Sequence, residues 1–214
     1  HFTYTPFPFT IDGIGFETLQ DAFSYASGYE SVTIETTANF SGYAASATGT
    51  DITLNLNGFI LDGAGFDTIT CNGKMIINGE GTITNTIVGE YSKSLVNFGA
   101  LTLNNVNIEN GTTNVSVWNS NNGGSAMVMN ECVVKRTDDC IVVINSGEMS
   151  LNSCTIEGAG IETHPVLYIN AEEAVLTAKG GTITNTSTGY SVYLESGSAV
   201  LEECEAANSY GLEE

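Results

Sequence analysis

Basic residues are nearly missing from this chain: 5 Lys and Arg stand against 25 Asp and Glu, a formal charge of -20 over 214 residues. A surface of that sign repels polyanions, which removes nucleic acid and anionic membrane surfaces from the expected partners. Proline is scarce, with 3 in the chain, and no apolar run approaches the roughly 20 residues that a spanning helix needs, so direct membrane insertion is not expected. Five cysteines are too few and too irregularly spaced for a disulfide framework, and no CxxC pair suggests zinc. No cofactor is expected. What is plentiful is glycine, at 24 residues, together with Asn, Thr and Ser, a balance closer to extracellular β-rich surface proteins than to cytosolic enzymes. With 42% hydrophobic residues, the chain has enough for one domain with a sizeable core.

Internal similarity sets the fold. The chain divides into 51 to 73 (DITLNLNGFILDGAGFDTITCNG), 74 to 99, 100 to 124, 125 to 147, 148 to 172, 173 to 197 and a shorter 198 to 214. Each full unit holds three short alternating runs, such as Leu101/Leu103, Val106/Ile108 and Val115/Val117, separated by Asn, Gly, Ser or Thr turns. No unit can bury its alternate side chains alone, but units stacked ~4.8 Å apart close a tube around a continuous apolar column. Leu176, Ile183, Val192 and Leu194 are expected inside, with Thr182, Thr184 and Tyr193 outside. Units of 23 to 26 residues suit an all-β, right-handed, three-sided parallel β-helix of about six to seven coils.

The first fifty residues read differently. Phe16, Leu19, Phe23 and Ala26 follow helical spacing, Thr18 and Asp21 can form a capping box, and Gly28 is placed to end the helix. We expect an extended arm over 1 to 15, a capping helix and first irregular coil over 16 to 50, and repeats over 51 to 214, all as one domain. "SVTIE" (31 to 35) is the expected first strand. No equivalent plug is visible at the other end, so the natural chain is expected to continue past Glu214 as part of a longer multidomain protein.

The segments "FETLQDAFSYAS", "SVTIE", "ITLNLNGFILDG", "MIINGEGTITNT", "LTLNNVNIENG" and "GGTITNTS" together resemble the pectate-lyase-like right-handed β-helix domains of large bacterial cell-surface proteins and adhesins. The likeness spans nearly the whole chain. It implies a secreted or surface location, and it is specific for fold rather than for activity, because such folds host lyases, hydrolases, tail fibres and non-catalytic adhesins.

Two readings of function follow. In the first, the module is non-catalytic and acts in adhesion, glycan binding or as a stalk. Tyr168 and Tyr193 align as outward positions of the third strand with Trp118 one position off their column, and Asn119, Asn145 and Asn170 offer hydrogen bonds to a polysaccharide or cell-surface glycan. In the second, "TDDCIVVINSG" resembles the "GDDC" segment of polygalacturonases, so that Asp138 and Asp139 would be the acid and water-activating pair of a carbohydrate-active enzyme. Carboxyls in an inverting hydrolase stand about 6.5 to 9.5 Å apart. The third aspartate, the glycine-flanked histidine and the Arg-Ile-Lys segment of that family are missing; His164 is the only nearby imidazole. A lyase needs basic residues to stabilise an enolate, and only Lys135 and Arg136 lie near Asp138.

"DGAGFDTI" (62 to 69) matches most of a calcium-binding nonapeptide through Asp62 and Asp67, but a single copy lacks the neighbouring loop that completes an oxygen cage, so no metal is expected. Cys132 and Cys154 share a register with Val106 before them and Cys204 after, and should stack as small buried side chains. A bond between the first two fits the Cα spacing of adjacent strands, though its dihedral is hard to satisfy there. Cys71 and Cys140 have no repeat partner. Thr-x-Thr triplets at 68 to 70, 82 to 84 and 182 to 184 skip coils and form no flat array.

Overall fold

The computed structural model describes residues 7–87, 92–111, 115–122, 124–161 and 163–212. Alternating apolar residues in short runs are buried by stacking, and the chain forms a parallel β-solenoid of about six turns, with one helix among the described residues. Three strand columns make the faces. The first contains β3 (Val32–Thr36), β6 (Asp51–Asn55), β9 (Lys74–Asn78), β12 (Ala100–Asn104) and β15 (Ala126–Asn130). The second contains β4 (Phe40–Ser41), β7 (Ile60–Asp62), β10 (Thr82–Thr84), β13 (Asn107–Glu109) and β16 (Val133–Lys135). The third contains β5 (Ala44–Ala45), β8 (Ile69–Cys71), β11 (Leu95–Asn97), β14 (Val117–Asn119) and β17 (Val143–Asn145). Three long strands, β18 (Glu148–Gly158), β19 (Leu167–Asn185) and β20 (Val192–Glu202), then bend around the corners and continue the columns.

Parallel pairing in register stacks like on like. On the first face Ile34, Leu54, Ile77, Leu103, Met129, Leu151 and Ala178 form one inward column, and Ile52, Met75, Leu101, Met127, Met149 and Leu176 form another. All are at most 2% exposed, and each full-sized aliphatic contributes roughly 1.5 to 3 kcal/mol by leaving water. Leu61, Ile83, Ile108, Val134, Ile156 and Ile183 supply the second face in the same way. Residues 32 to 50 form a short but regular coil, since β3, β4 and β5 already pair in parallel with β6, β7 and β8.

Amides set the corner after the first face. Asn55, Asn78, Asn104, Asn130 and Asn152 stand one above another, each side-chain NH2 donating to the carbonyl of the residue below at 2.7 to 3.1 Å, and Asn55 donates to the Glu35 carboxylate at 2.7 Å. The residue after Asn78, Asn104, Asn130 and Asn152 turns the chain with positive φ, Gly79 at 107°, Asn105 at 54°, Glu131 at 53° and Ser153 at 53°, whereas after Asn55 the positive φ comes one residue later, at Asn57 with 53°. Lys179 replaces asparagine in the next rung and pairs with Glu202 at 3.0 Å.

A second ladder lies inside the tube on the third face. Asn97 donates to Asn119 at 2.8 Å and Asn119 to Asn145 at 2.9 Å, and all three are fully buried. Such groups are tolerated in a core only because their donors and acceptors are taken up, here also by the Ala126, Glu148 and Val175 carbonyls.

Cys132 and Cys154 stack behind Val106 as the register requires, 0% and 3% exposed. Hydrogen bonding with Cys154, together with burial, pushes the Cys132 thiol well above its ordinary range, which suits packing rather than reactivity. All five cysteines are free thiols in this structure. The next rung is Gly181, with φ of 81°, where a Cβ would lie 2.1 Å from the Cys154 carbonyl oxygen. Cys204 therefore resumes the column only after a gap.

The N-terminal end is closed by three devices. Helix α1 (Leu19–Ala26) buries Leu19, Ala22, Phe23 and Ala26 against the first coil, with Thr18 as N-cap bonded to the Asp21 amide at 3.0 Å. Gln20 pairs its amide with both backbone groups of Ala45, at 3.0 and 3.3 Å, in the place of a preceding rung. The third device differs from the expected extended arm: β1 (Phe9–Ile11) and β2 (Ile14–Phe16) form an antiparallel hairpin, and β1 pairs antiparallel with β3. Asp12 and Gly13, with φ of 48° and 81°, make the tight turn that an Asp-Gly pair between alternating apolar residues favours. Phe16 accordingly belongs to β2 rather than to the helix. No helix among the described residues is long and apolar enough to cross a membrane.

Replacing Asn119 with alanine removes the acceptor of Asn97 and two donors in the core. We expect a loss of about 2 to 4 kcal/mol in urea unfolding, from stranded polar groups plus the small cavity. An unchanged unfolding midpoint would show that the inner ladder does not hold the third face.

Candidate functional site

The two adjacent aspartates follow β16 and face different partners. Arg136 has a fully buried side chain; its Nε and Nη2 both bond Asp138, the latter at 2.8 Å, while its backbone amide donates to the Glu157 carbonyl at 3.0 Å. Asp139 turns to the next coil, 3.4 Å from His164 Nδ1 and 3.3 Å from the Ile161 amide. Each carboxylate is thus engaged as an acceptor in a loop staple. Burial pushes the thiol of Cys140 beside them upward, more than the Arg136 charge lowers it, so it is not an activated nucleophile.

Asp62 and Asp67 are likewise used by the turns that carry them. Asp62 accepts from the Ala64 amide at 3.0 Å, the Thr86 amide at 3.1 Å and the Thr86 hydroxyl. Asp67 accepts from the Lys93 amide at 2.7 Å, with the Lys93 ammonium 4.0 Å away. Among the described residues no three of His, Cys, Asp and Glu gather in a way that could hold a metal ion.

Aromatic residues gather on the outer side of the third face. The register places Val96, Trp118, Ile144, Tyr168 and Tyr193 in one column, so Trp118 lies in line with the tyrosines rather than one position off. Ile144 separates the indole from the phenols. Trp118 packs edge-on to Phe98 at 5.7 Å and has the Lys93 ammonium 5.3 Å from its centroid, which makes a cluster of its own.

Further up, Tyr193 is the centre of a group. Its ring lies 5.9 Å from Tyr168, 5.5 Å from Tyr190 and 4.8 Å from Tyr210, the last stacked at 12°. Tyr190 also meets Tyr210 at 5.6 Å. A β-bridge between Tyr193 and Tyr210 shows that the final segment begins another rung in the same register. With Thr163 and Pro165 from the preceding loop and Glu195 from β20, these four tyrosines line an open cleft of ≈ 510 Å³. The Tyr168 hydroxyl donates to Glu195 Oε2; burial and this bond push the phenol up to about 12, so it stays neutral.

No family model, curated protein or solved structure matches this chain. Its site is therefore read from geometry alone.

Of the asparagines expected to serve a ligand, Asn170 is exposed, with its carbonyl accepting from the Ser146 hydroxyl at 2.7 Å. Asn119 and Asn145 are corrected: both are 0% exposed and belong to the inner ladder. Alternation explains the error, since the neighbours of outward Trp118 and Ile144 must point inward. Tyr190, Tyr210 and Glu195 were outside the expectation. The signal for Tyr210 is present, because "NSYGLEE" repeats the order of "SVYLESG".

The bonds to Asp62 carry a pH dependence. Burial raises its pKa, but the Thr86 hydroxyl and the two amides outweigh this and hold it below the ordinary value. A depressed carboxylate contributes stability that is present above the unfolded-state pKa and lost as pH falls through the folded one. Asp62→Asn should therefore be less stable than wild type by under about 1 kcal/mol near pH 7, with the gap closing below about pH 4 in urea unfolding. A gap that persists in acid would assign the difference to packing.

Proposed function

We propose that this chain is a non-catalytic module of a secreted or surface-anchored bacterial protein, akin to the pectate-lyase-like β-helix domains it resembles, and that it binds glycan in the tyrosine-lined cleft. The observation that carries this reading is the convergence of Tyr168, Tyr190, Tyr193 and Tyr210 from successive rungs on one open concavity. A pyranose ring presents an apolar C–H face with hydroxyls at its rim, and a wall of phenols offers both a flat apolar surface and hydroxyl partners. The solenoid holds the rings through backbone pairing, so little ordering entropy is lost on binding. Adhesion follows if the ligand is on another cell's surface; the rigid column then serves as a stalk as well.

The commitment of Asp138 to Arg136, and of Asp139 to His164 and Ile161, favours the non-catalytic reading over hydrolysis. Two measurements test it. On a glycan array, wild-type protein should retain a defined set of sugars and Tyr193→Ala should lose about tenfold or more in affinity, as expected for the central residue of a binding patch. No retained glycan would overturn the reading. Incubation with polygalacturonate should release no new reducing ends; release that disappears in Asp138→Asn would make the chain an enzyme.

A further inference from the structure

The cleft combines two features that select among sugars. Its described lining residues are four tyrosines, Thr163, Pro165 and Glu195, with one carboxylate and no cation. Glu195 is exposed and uses Oε2 for the Tyr168 hydroxyl, while Oε1 has no partner among the described residues. His164, in the loop beside Thr163 and Pro165, has its Nδ1 facing Asp139 at 3.4 Å, and Lys179, on the first face, pairs with Glu202 at 3.0 Å. Around this lies a chain of formal charge -20.

Such a site disfavours uronate, sialate or phosphate groups, whose charge would meet Glu195 and the overall negative field. The opposite charge is favoured twice. An ammonium is attracted by the negative faces of the phenol rings and, at the same spot, by a carboxylate with an open oxygen. Resting on the glycan reading above, we infer that the preferred ligand is an amino sugar with a free, protonated amine, its pyranose against the tyrosines and its ammonium at Glu195. Acetylating that amine removes the charge and leaves the ring, so the N-acetylated sugar is the matched control.

Calorimetric titration at near-physiological salt tests this with glucosamine oligomers, their N-acetylated counterparts, oligogalacturonate and tetramethylammonium. Glucosamine oligomers should bind about tenfold more tightly than the acetylated ones, and oligogalacturonate weakest. Glu195→Gln keeps an acceptor for Tyr168 and should shrink that preference to about threefold or less without changing affinity for the acetylated oligomers. Glu17→Gln, an exposed carboxylate at the opposite end, should leave the preference intact and so separates the site from general attraction to an acidic protein. Equal binding of both oligomers by the wild type, or a preference that survives Glu195→Gln, overturns the inference while leaving glycan binding in place. Tetramethylammonium binding as tightly as the oligomers would show that the cleft takes an ammonium headgroup and not a sugar. Binding of no sugar at all would remove the glycan reading itself.

Discussion

Register between successive coils is the constraint on which the rest of this structure depends. Backbone pairing between parallel strands is indifferent to a slip of two residues, since the pleat is restored. Side chains are not. Two amide ladders remove the degeneracy, because the side-chain bonds from asparagine to asparagine in successive rungs form only in this register. The outer ladder donates towards the N-terminal coil and ends on Glu35; the inner one donates towards the C-terminal coil and ends on the Val175 carbonyl. With the ladders in place, the turns that follow Asn78, Asn104, Asn130 and Asn152 fall at the same level in their rungs, and the apolar columns are aligned without further instruction.

The same register decides what reaches the surface. Outward residues in adjacent rungs are brought within contact whether or not they are near in sequence, so Tyr168, Tyr193 and Tyr210 meet through three separate segments. The two ends are treated differently. Near the N-terminus the hairpin, the helix and Gln20 occupy the edge groups that a preceding coil would have paired. At the other end the last described segment covers part of β20, and the inward residues Leu194, Ala199 and Leu201 are only partly buried. The tyrosine cleft lies at this end, where a loop carrying Thr163 and Pro165 supplies a wall and the thin final rung leaves Tyr210 half exposed.

Much of this was legible in one dimension. Period-two alternation identified the inward residues, the unit length identified the three-sided solenoid, and helical spacing with a Thr-x-x-Asp cap identified α1. Asn145 carries the chemistry of a ligand contact, but the alternation around Ile144 places it inside, and the column that Trp118 joins depends on turn lengths that the sequence pattern does not fix. The hairpin at Asp12 and Gly13 was masked by flanking aromatics and prolines that suggest an extended arm.

What the sequence determined by itself is the solenoid: alternation and unit length are local properties, and stacking repeats them without needing any distant contact. Which side chains share a site was decided only by the tertiary structure. The tyrosine cleft draws on rungs 25 and 17 positions apart, Tyr168 to Tyr193 and Tyr193 to Tyr210, and their alignment depends on the exact length of every turn between them. One residue more or less in a turn leaves the alternating pattern of the sequence intact, yet it would send Tyr193 inward and buried Val192 outward, dismantling cleft and core together.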